Sequence, residues 1–323
     1  MTAAQNIALA LRVSEDQVAA EAGQLFFPQP ATPAPQETYK RQDCAPGDSA
    51  SAPFTMGELI SALRQCKNKK STPGPDGITY ALLRILPDEH SEELLTWINK
   101  LWTTGQVSEE WKTSWFIPIP KPGKPTTTLA NMRPISLTSN VCKLTERMAL
   151  YRIQHILENN GIFDYTQPGF RRLLATQNSL LMIYTDLLEI PSKGDPSIVV
   201  AVDVKKAFDS VTHKSIIGSA VAHNVQGAAL NFIKSFLEGR KFTVKVGNTA
   251  GPESSNGVGV PQGAVLSPTL FNLVMADLPP RLARIQDICF TINADDITIW
   301  TQGGGRKRYY RRHWTHSQSF WIP

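Results

Sequence analysis

Ile292-Asn293-Ala294-Asp295-Asp296-Ile297-Thr298-Ile299-Trp300 places two adjacent carboxylates between β-branched and apolar runs. Such runs on either side of a short polar break read as two strands joined by a tight turn, a hairpin with two charges at its tip. Ionised carboxylates are costly to remove from water without partners, so the pair asks for a cation or for water. A divalent metal is the natural reading.

Upstream, Ser197-Ile198-Val199-Val200-Ala201-Val202-Asp203 repeats the theme, a β-branched run that ends in a carboxylate. Either acidic segment alone has an ordinary explanation, a solvated hairpin tip for Asp295-Asp296 and a helix cap for Asp203. Together, three acids from two neighbouring strands can hold two Mg²⁺ ions about 4 Å apart, the arrangement of two-metal displacement at phosphorus.

Between them lies Gly259-Val260-Pro261-Gln262-Gly263-Ala264-Val265-Leu266-Ser267-Pro268. In order and spacing the three segments resemble the central palm motifs of reverse transcriptases, in particular those of non-LTR retrotransposons of the jockey type. The resemblance runs from about Ser71 to Trp300. It implies an α+β right-hand polymerase, with helical and hairpin fingers and a palm of antiparallel sheet with helices on one face; the likeness stops at about Thr301, so the thumb is expected to be absent. The implied activity is RNA-directed DNA synthesis from a primer 3′-hydroxyl, with an RNA template, a DNA primer and deoxynucleoside triphosphates as partners. The implied cofactor is a pair of Mg²⁺ ions, with Mn²⁺ as the alternative, held by Asp203, Asp295 and Asp296 and by the Val204 carbonyl. Asp203 and Asp295 are the catalytic pair and Asp296 supports them.

Other residues take roles from the same resemblance. Arg133, with Lys121 and Lys124 on the same basic hairpin, meets the triphosphate; Arg suits it through planar bidentate bonding and Lys as a point charge. Phe208, five residues beyond Asp203, blocks a ribose 2′-hydroxyl. Gln262 lies beside the nucleotide sugar, and Gly263, lacking a Cβ, permits close approach of nucleotide or template. Lys143 and Arg171 are candidates for template contact. For most of these the plain alternative is a solvated charge or a core side chain. One residue departs from the family: Asn293 stands where an aromatic almost always precedes Ala-Asp-Asp, which implies impaired activity.

At 323 residues the chain exceeds one typical core. Cys44, Cys66, Cys142 and Cys289 form no Cys-x-x-Cys pair, which argues against a zinc knuckle or a disulfide framework and fits a reducing compartment. No signal peptide or membrane span is read, so an intracellular location, cytoplasmic or nuclear, is expected. The formal net charge of +5 is matched by Arg306, Lys307, Arg308, Arg311 and Arg312 in a tail without acids, so it says nothing about partners of the fold. Oligomeric state is not legible.

Four regions are expected. Residues 1–53, with Pro28, Pro30, Pro33, Pro35, Pro46 and Pro53, read as a mostly disordered linker, in which Asn6 to Leu25 reads equally well as an arm packed on the next domain. Residues 54–116 form a helical fingers extension, opened by a capping box at Thr55 and Glu58. It includes the basic run Lys67 to Ser71 and the turn Pro73-Gly74-Pro75-Asp76-Gly77, and helices at about Tyr80 to Leu86 and Glu92 to Trp102 follow. Residues 117–301 form the fingers and palm. Here the segments at Trp115 to Pro120 and Met132 to Leu137 make a hairpin whose prolines mark an edge or bent strand. Helices are expected at Val141 to Leu157, Thr176 to Ile190 and Ser215 to Leu237. Phe242 to Val246 and Gly257 to Val260 are read as a strand pair, and Ser267 and Pro268 as the N-cap and first residue of a further helix. Residues 302–323 read as an aberrant tail of the kind a shifted frame produces, and the chain as written is expected not to polymerise processively. The rival readings are a catalytically dead nucleic-acid-binding remnant and an RNA-directed RNA polymerase, against which Phe208 speaks.

Overall fold

The structure, a computed structural model, describes residues 3–26, 39, 51–66, 72–189, 197–255 and 257–301. Of the expected linker at 1–53, residues 1–2, 27–38 and 40–50 lie outside the described residues, as do the basic run Lys67 to Ser71 and the tail 302–323. Seven strands are present among them: β1 (Thr113–Pro120), β2 (Met132–Leu137), β3 (Val199–Asp203), β4 (Lys241–Val246), β5 (Thr249–Ser255), β6 (Ile288–Asn293) and β7 (Asp296–Thr301). The chain divides into two compact units, 1–162 with 206–274 and 163–205 with 275–323. The architecture is mixed α and β, with strands that pair antiparallel except β1 with β4.

The larger unit holds a four-stranded sheet in the order β2-β1-β4-β5. Pro118 and Pro120 fall on the half of β1 that pairs with β2 only, since β4 pairs with Thr113 to Phe116. The missing amide donors therefore leave no ladder bond unmade toward β4. The expected Gly257 to Val260 strand is corrected: β4 pairs with β5, and Val258 makes only an isolated bridge to Thr212. The cause is local, because Gly247-Asn248 is a two-residue hairpin turn directly after Val246, a stronger signal than the apolar alternation farther on.

Residues 3–26 are likewise not linker. They form helices Ala3–Leu11 and Glu15–Phe26, whose Ile7, Ala8, Val18, Ala19 and Ala22 cover Phe116, Met132, Phe242, Val244 and Val246 of the sheet. Ser14 starts the second helix by a reciprocal exchange: its Oγ accepts from the Gln17 amide at 3.2 Å and the Gln17 Oε1 accepts from the Ser14 amide at 3.0 Å.

Through the same unit runs helix Asn140–Asn159, with Leu144, Met148, Ile153 and Leu157 fully buried. The expected capping box at Thr55 and Glu58 is present, and the Glu58 carboxylate also receives Arg152 Nε at 2.9 Å. The expected single helix from Ser215 to Leu237 is two, His213–Ala222 and Gly227–Leu237. Between them Asn224 takes a left-handed conformation, φ 60°, which Asn tolerates better than most residues and which ends a helix.

The smaller unit holds a three-stranded antiparallel sheet in the order β3-β7-β6. Phe290, Ile292 and Ile297 form its core, packed by Val204, Met275, Leu278, Leu282 and Ala283. Helix Thr176–Tyr184 continues into a wider turn at Thr185–Glu189.

Candidate active site

The expected hairpin is β6 and β7, with Ala294 and Asp295 as its two turn residues and Asn293 opposite Asp296. Alternation sends Ile292 and Ile297 into the core and leaves the acids at the end of the sheet. β3 lies alongside with Asp203 directly opposite Asp296. The Val204 amide donates to the Asp295 carbonyl at 3.2 Å, tying the end of β3 to the turn. All three acids therefore sit at one end of one sheet. Asp203 and Asp296 are exposed and Asp295 is half-buried. Partial burial, then the charge of Asp295, then that of Asp203, push the Asp296 carboxyl above its ordinary pKa. That mutual repulsion marks where a cation would be welcome. Among the described residues no three acid, imidazole or thiol groups already form a cage for a metal ion. The fold supplies backbone positions for the acids at one sheet end.

The turn is strained and braced. Ala294 has φ 62°, a left-handed conformation that costs a non-glycine residue about 1–2 kcal/mol. Bracing comes from the loop at 166–171. The Thr166 carbonyl accepts from the Ile292 amide at 2.7 Å and from Thr291 Oγ1 at 3.2 Å. A Cβ on Gly169 would stand 2.4 Å from the Ala294 nitrogen, so only glycine lets the loop lie against the turn. Asn293 Nδ2 donates to Thr176 Oγ1 at 3.3 Å. Arg171 directs Nη1 to the Asp164 carbonyl at 2.7 Å and stacks over Phe163, so this part of its guanidinium serves its own loop.

The remaining candidates lie in the larger unit. Arg133 and Lys124 are exposed, and Lys121 Nζ donates to the Ala130 carbonyl at 3.1 Å. Lys143 is half-buried rather than on a solvated helical face; burial pulls its pKa down, opposed by the Glu146 carboxylate. Phe208 is half-buried, its ring 5.3 Å from that of Phe271. Gly263 is required by the fold itself. A Cβ there would meet the Ser136 carbonyl at 2.7 Å, so the chain's own backbone already requires the glycine. Ser267 Oγ donates to the Pro261 carbonyl at 2.8 Å.

Two acids that the sequence reading passed over matter here. Asp209 accepts Gln262 Nε2 on both carboxylate oxygens at 3.0 Å. Glu146, fully buried, accepts the amides of Val265 and Leu266 at 2.7 and 3.0 Å, just before helix Ser267–Met275. The available signals were the adjacency of Asp209 to Phe208 and the placing of Glu146 on a helix stripe with Cys142 and Ala149.

A family model described as reverse transcriptase (RNA-dependent DNA polymerase) matches residues 119–320. The chain is 32% identical over 251 residues to the probable RNA-directed DNA polymerase from transposon BS of Drosophila melanogaster, covering 76% of this chain and 28% of that protein. It is 31% identical over 254 residues to the RNA-directed DNA polymerase from mobile element jockey of Drosophila funebris, covering 77% of this chain and 28% of that protein. It is 30% identical over 254 residues to a retrovirus-related Pol polyprotein from a type-1 retrotransposable element R2 of Popillia japonica, covering 76% of this chain and 33% of that protein. The chain thus spans a third or less of the length of these curated relatives.

Proposed function

Because the chain belongs to the reverse transcriptase (RNA-dependent DNA polymerase) family, we propose that it is polymerase machinery of a jockey-like non-LTR element, adding deoxynucleotides to a primer 3′-hydroxyl on an RNA template. The observation that carries the reading is the row of acids at one sheet end, Asp203 opposite Asp296 with Asp295 in the adjoining turn. On this reading the three-stranded sheet is palm and the four-stranded sheet belongs to the fingers.

The donor set is all oxygen and mostly carboxylate, which fits Mg²⁺, or Mn²⁺ in its place, better than a softer ion. Two such ions, when bound, supply activation of the attacking hydroxyl and shielding of the leaving phosphate oxygens. Asp203 and Asp295 would hold them, with Asp296 and the Val204 carbonyl as further donors. The protein's own part is positioning. The ladder between β3 and β7 fixes the backbone of two acids, and the loop at 166–171 keeps the strained turn from relaxing. Arg133, Lys121 and Lys124 offer positive charge for a triphosphate, and Lys143 and Arg171 are proposed for the template. Among the described residues no helix is long and apolar enough to cross a membrane.

Two tests fall on single residues. If Phe208 excludes the 2′-hydroxyl, Phe208→Ala raises incorporation of ribonucleotides relative to deoxynucleotides by about 10-fold or more, the value of one lost steric conflict of 1–3 kcal/mol. An unchanged ratio returns Phe208 to the core beside Phe271. For Asn293→Tyr, the added ring buries apolar area beside the turn, and about 1–2 kcal/mol of better positioning gives primer extension about 5- to 30-fold faster. Equal or slower single-turnover extension would show that Asn293 is no defect.

A further inference from the structure

Gln262 is held at its backbone and at its side chain by different elements. Its carbonyl accepts the Ser136 amide at 2.7 Å, and two residues earlier the Val260 amide donates to the Phe208 carbonyl at 2.7 Å. The side chain is then set by Asp209, which takes Nε2 on both carboxylate oxygens. An ionised carboxylate only accepts hydrogen bonds, so the amide must turn its NH₂ toward Asp209 and its Oε1 away. Among the described residues Oε1 receives no hydrogen bond, leaving an acceptor whose orientation is fixed by the partner of the other end. Asp209 is half-buried; burial pushes its pKa up, and the Gln262 hydrogen bond and the Lys206 charge pull it back.

We infer that Asp209 is a positioning residue for nucleotide recognition, fixing the Gln262 amide so that Oε1 is the acceptor offered to a hydroxyl of the bound nucleotide sugar. The inference rests on the polymerase reading above. It differs from a packing role in one respect: the acceptor-only character of the carboxylate matters and its shape does not. Asn has the same shape, but its own NH₂ can bond Gln262 Oε1, so either orientation of the Gln262 amide is satisfied.

The test is equilibrium binding of thymidine triphosphate and its 2′,3′-dideoxy analogue to the full chain in Mg²⁺ without primer. One satisfied hydrogen bond gives the wild type a preference of about 10-fold for the nucleotide bearing the 3′-hydroxyl. Gln262→Ala removes the preference, Asp209→Asn reduces it to about 2-fold at unchanged melting temperature, and Asp209→Glu, still acceptor-only, retains most of it. Adding Asp209→Asn to Gln262→Ala changes the ratio no further. Full preference in Asp209→Asn, or a further change in the double variant, overturns the role of Asp209 and leaves the polymerase reading standing. A variant that loses the preference only by unfolding, with Asp209→Glu unfolding likewise, reduces the pair to packing and also overturns it. Binding of neither nucleotide by folded wild type defeats both this inference and the polymerase reading.

Discussion

Asp203→Asn and Asp295→Asn are each expected to slow Mg²⁺-dependent primer extension by about 10²–10³-fold, because each removes a charged oxygen from the proposed ion-binding row, and ion-derived charge stabilisation is worth several kcal/mol. Asparagine is isosteric with aspartate, and the backbone ladder that sets both positions involves no side chain: Asp203 pairs with Asp296 through β3 and β7, and Val204 bonds the Asp295 carbonyl. Stability and template-primer affinity should therefore be retained. Asp296→Asn has a smaller effect, since it also relieves the repulsion that raises the Asp296 pKa. Single-turnover incorporation with Mg²⁺ titrated for each variant measures this. Undiminished incorporation by either Asp203→Asn or Asp295→Asn would sink the two-metal assignment.

The second large effect is on stability. Glu146 is fully buried and its Oε2 accepts two backbone amides, those of Val265 and Leu266, while Oε1 receives the Cys142 thiol at 3.3 Å. Burial, then the Glu146 carboxylate, push that thiol well up. Nearby, Arg240 is also buried, donating Nη1 to the Phe236 carbonyl at 2.9 Å, and Glu146 is one of the negative neighbours that offset its desolvation. Glu146→Ala strands two amides and takes a negative neighbour from the buried Arg240 guanidinium. Removing one partner from a buried charged cluster costs about 3–5 kcal/mol, equivalent to a melting temperature lower by about 10 °C in a chain of this size. Glu146→Gln keeps an acceptor and the shape, and should lose about half as much. A melting temperature for Glu146→Ala within about 2 °C of wild type would show that water or Arg240 repacking replaces the carboxylate.

How much of this was legible follows from the range of each interaction. The acidic hairpin, the Asp203 strand, the β1–β2 hairpin and the Thr55 capping box are local patterns, and the residues that make them are close in sequence. The Gly247-Asn248 turn and the Ser14-Gln17 box were equally local, yet were overlooked, one beside an apolar alternation at Gly257 to Val260 and the other beneath the proline content of residues 1–53. The parallel pairing of β1 with β4 has no local signature. Nor have the Asp209–Gln262 contact, across 53 residues, and the Glu146–Val265 contact, across 119. Hydrophobic periodicity assigns a residue to a face, and a buried acid on a helix stripe reads as an irregularity until its partner is known. The roles of Asp203, Asp295 and Asp296 came from family resemblance joined to strand reading; their shared sheet end came from the fold.

The acids at the end of the β3-β7-β6 sheet are proposed to perform templated nucleotidyl transfer. Its most direct measurement is single-nucleotide extension of a DNA primer annealed to RNA, with purified full chain, Mg²⁺ and each deoxynucleotide supplied separately. The nucleotide complementary to the template base is expected to be added, addition to stop on chelation of the metal, and Asp295→Asn to lack it. Folded wild-type protein that adds no nucleotide, or addition that ignores the template or persists in Asp295→Asn, would contradict the proposal.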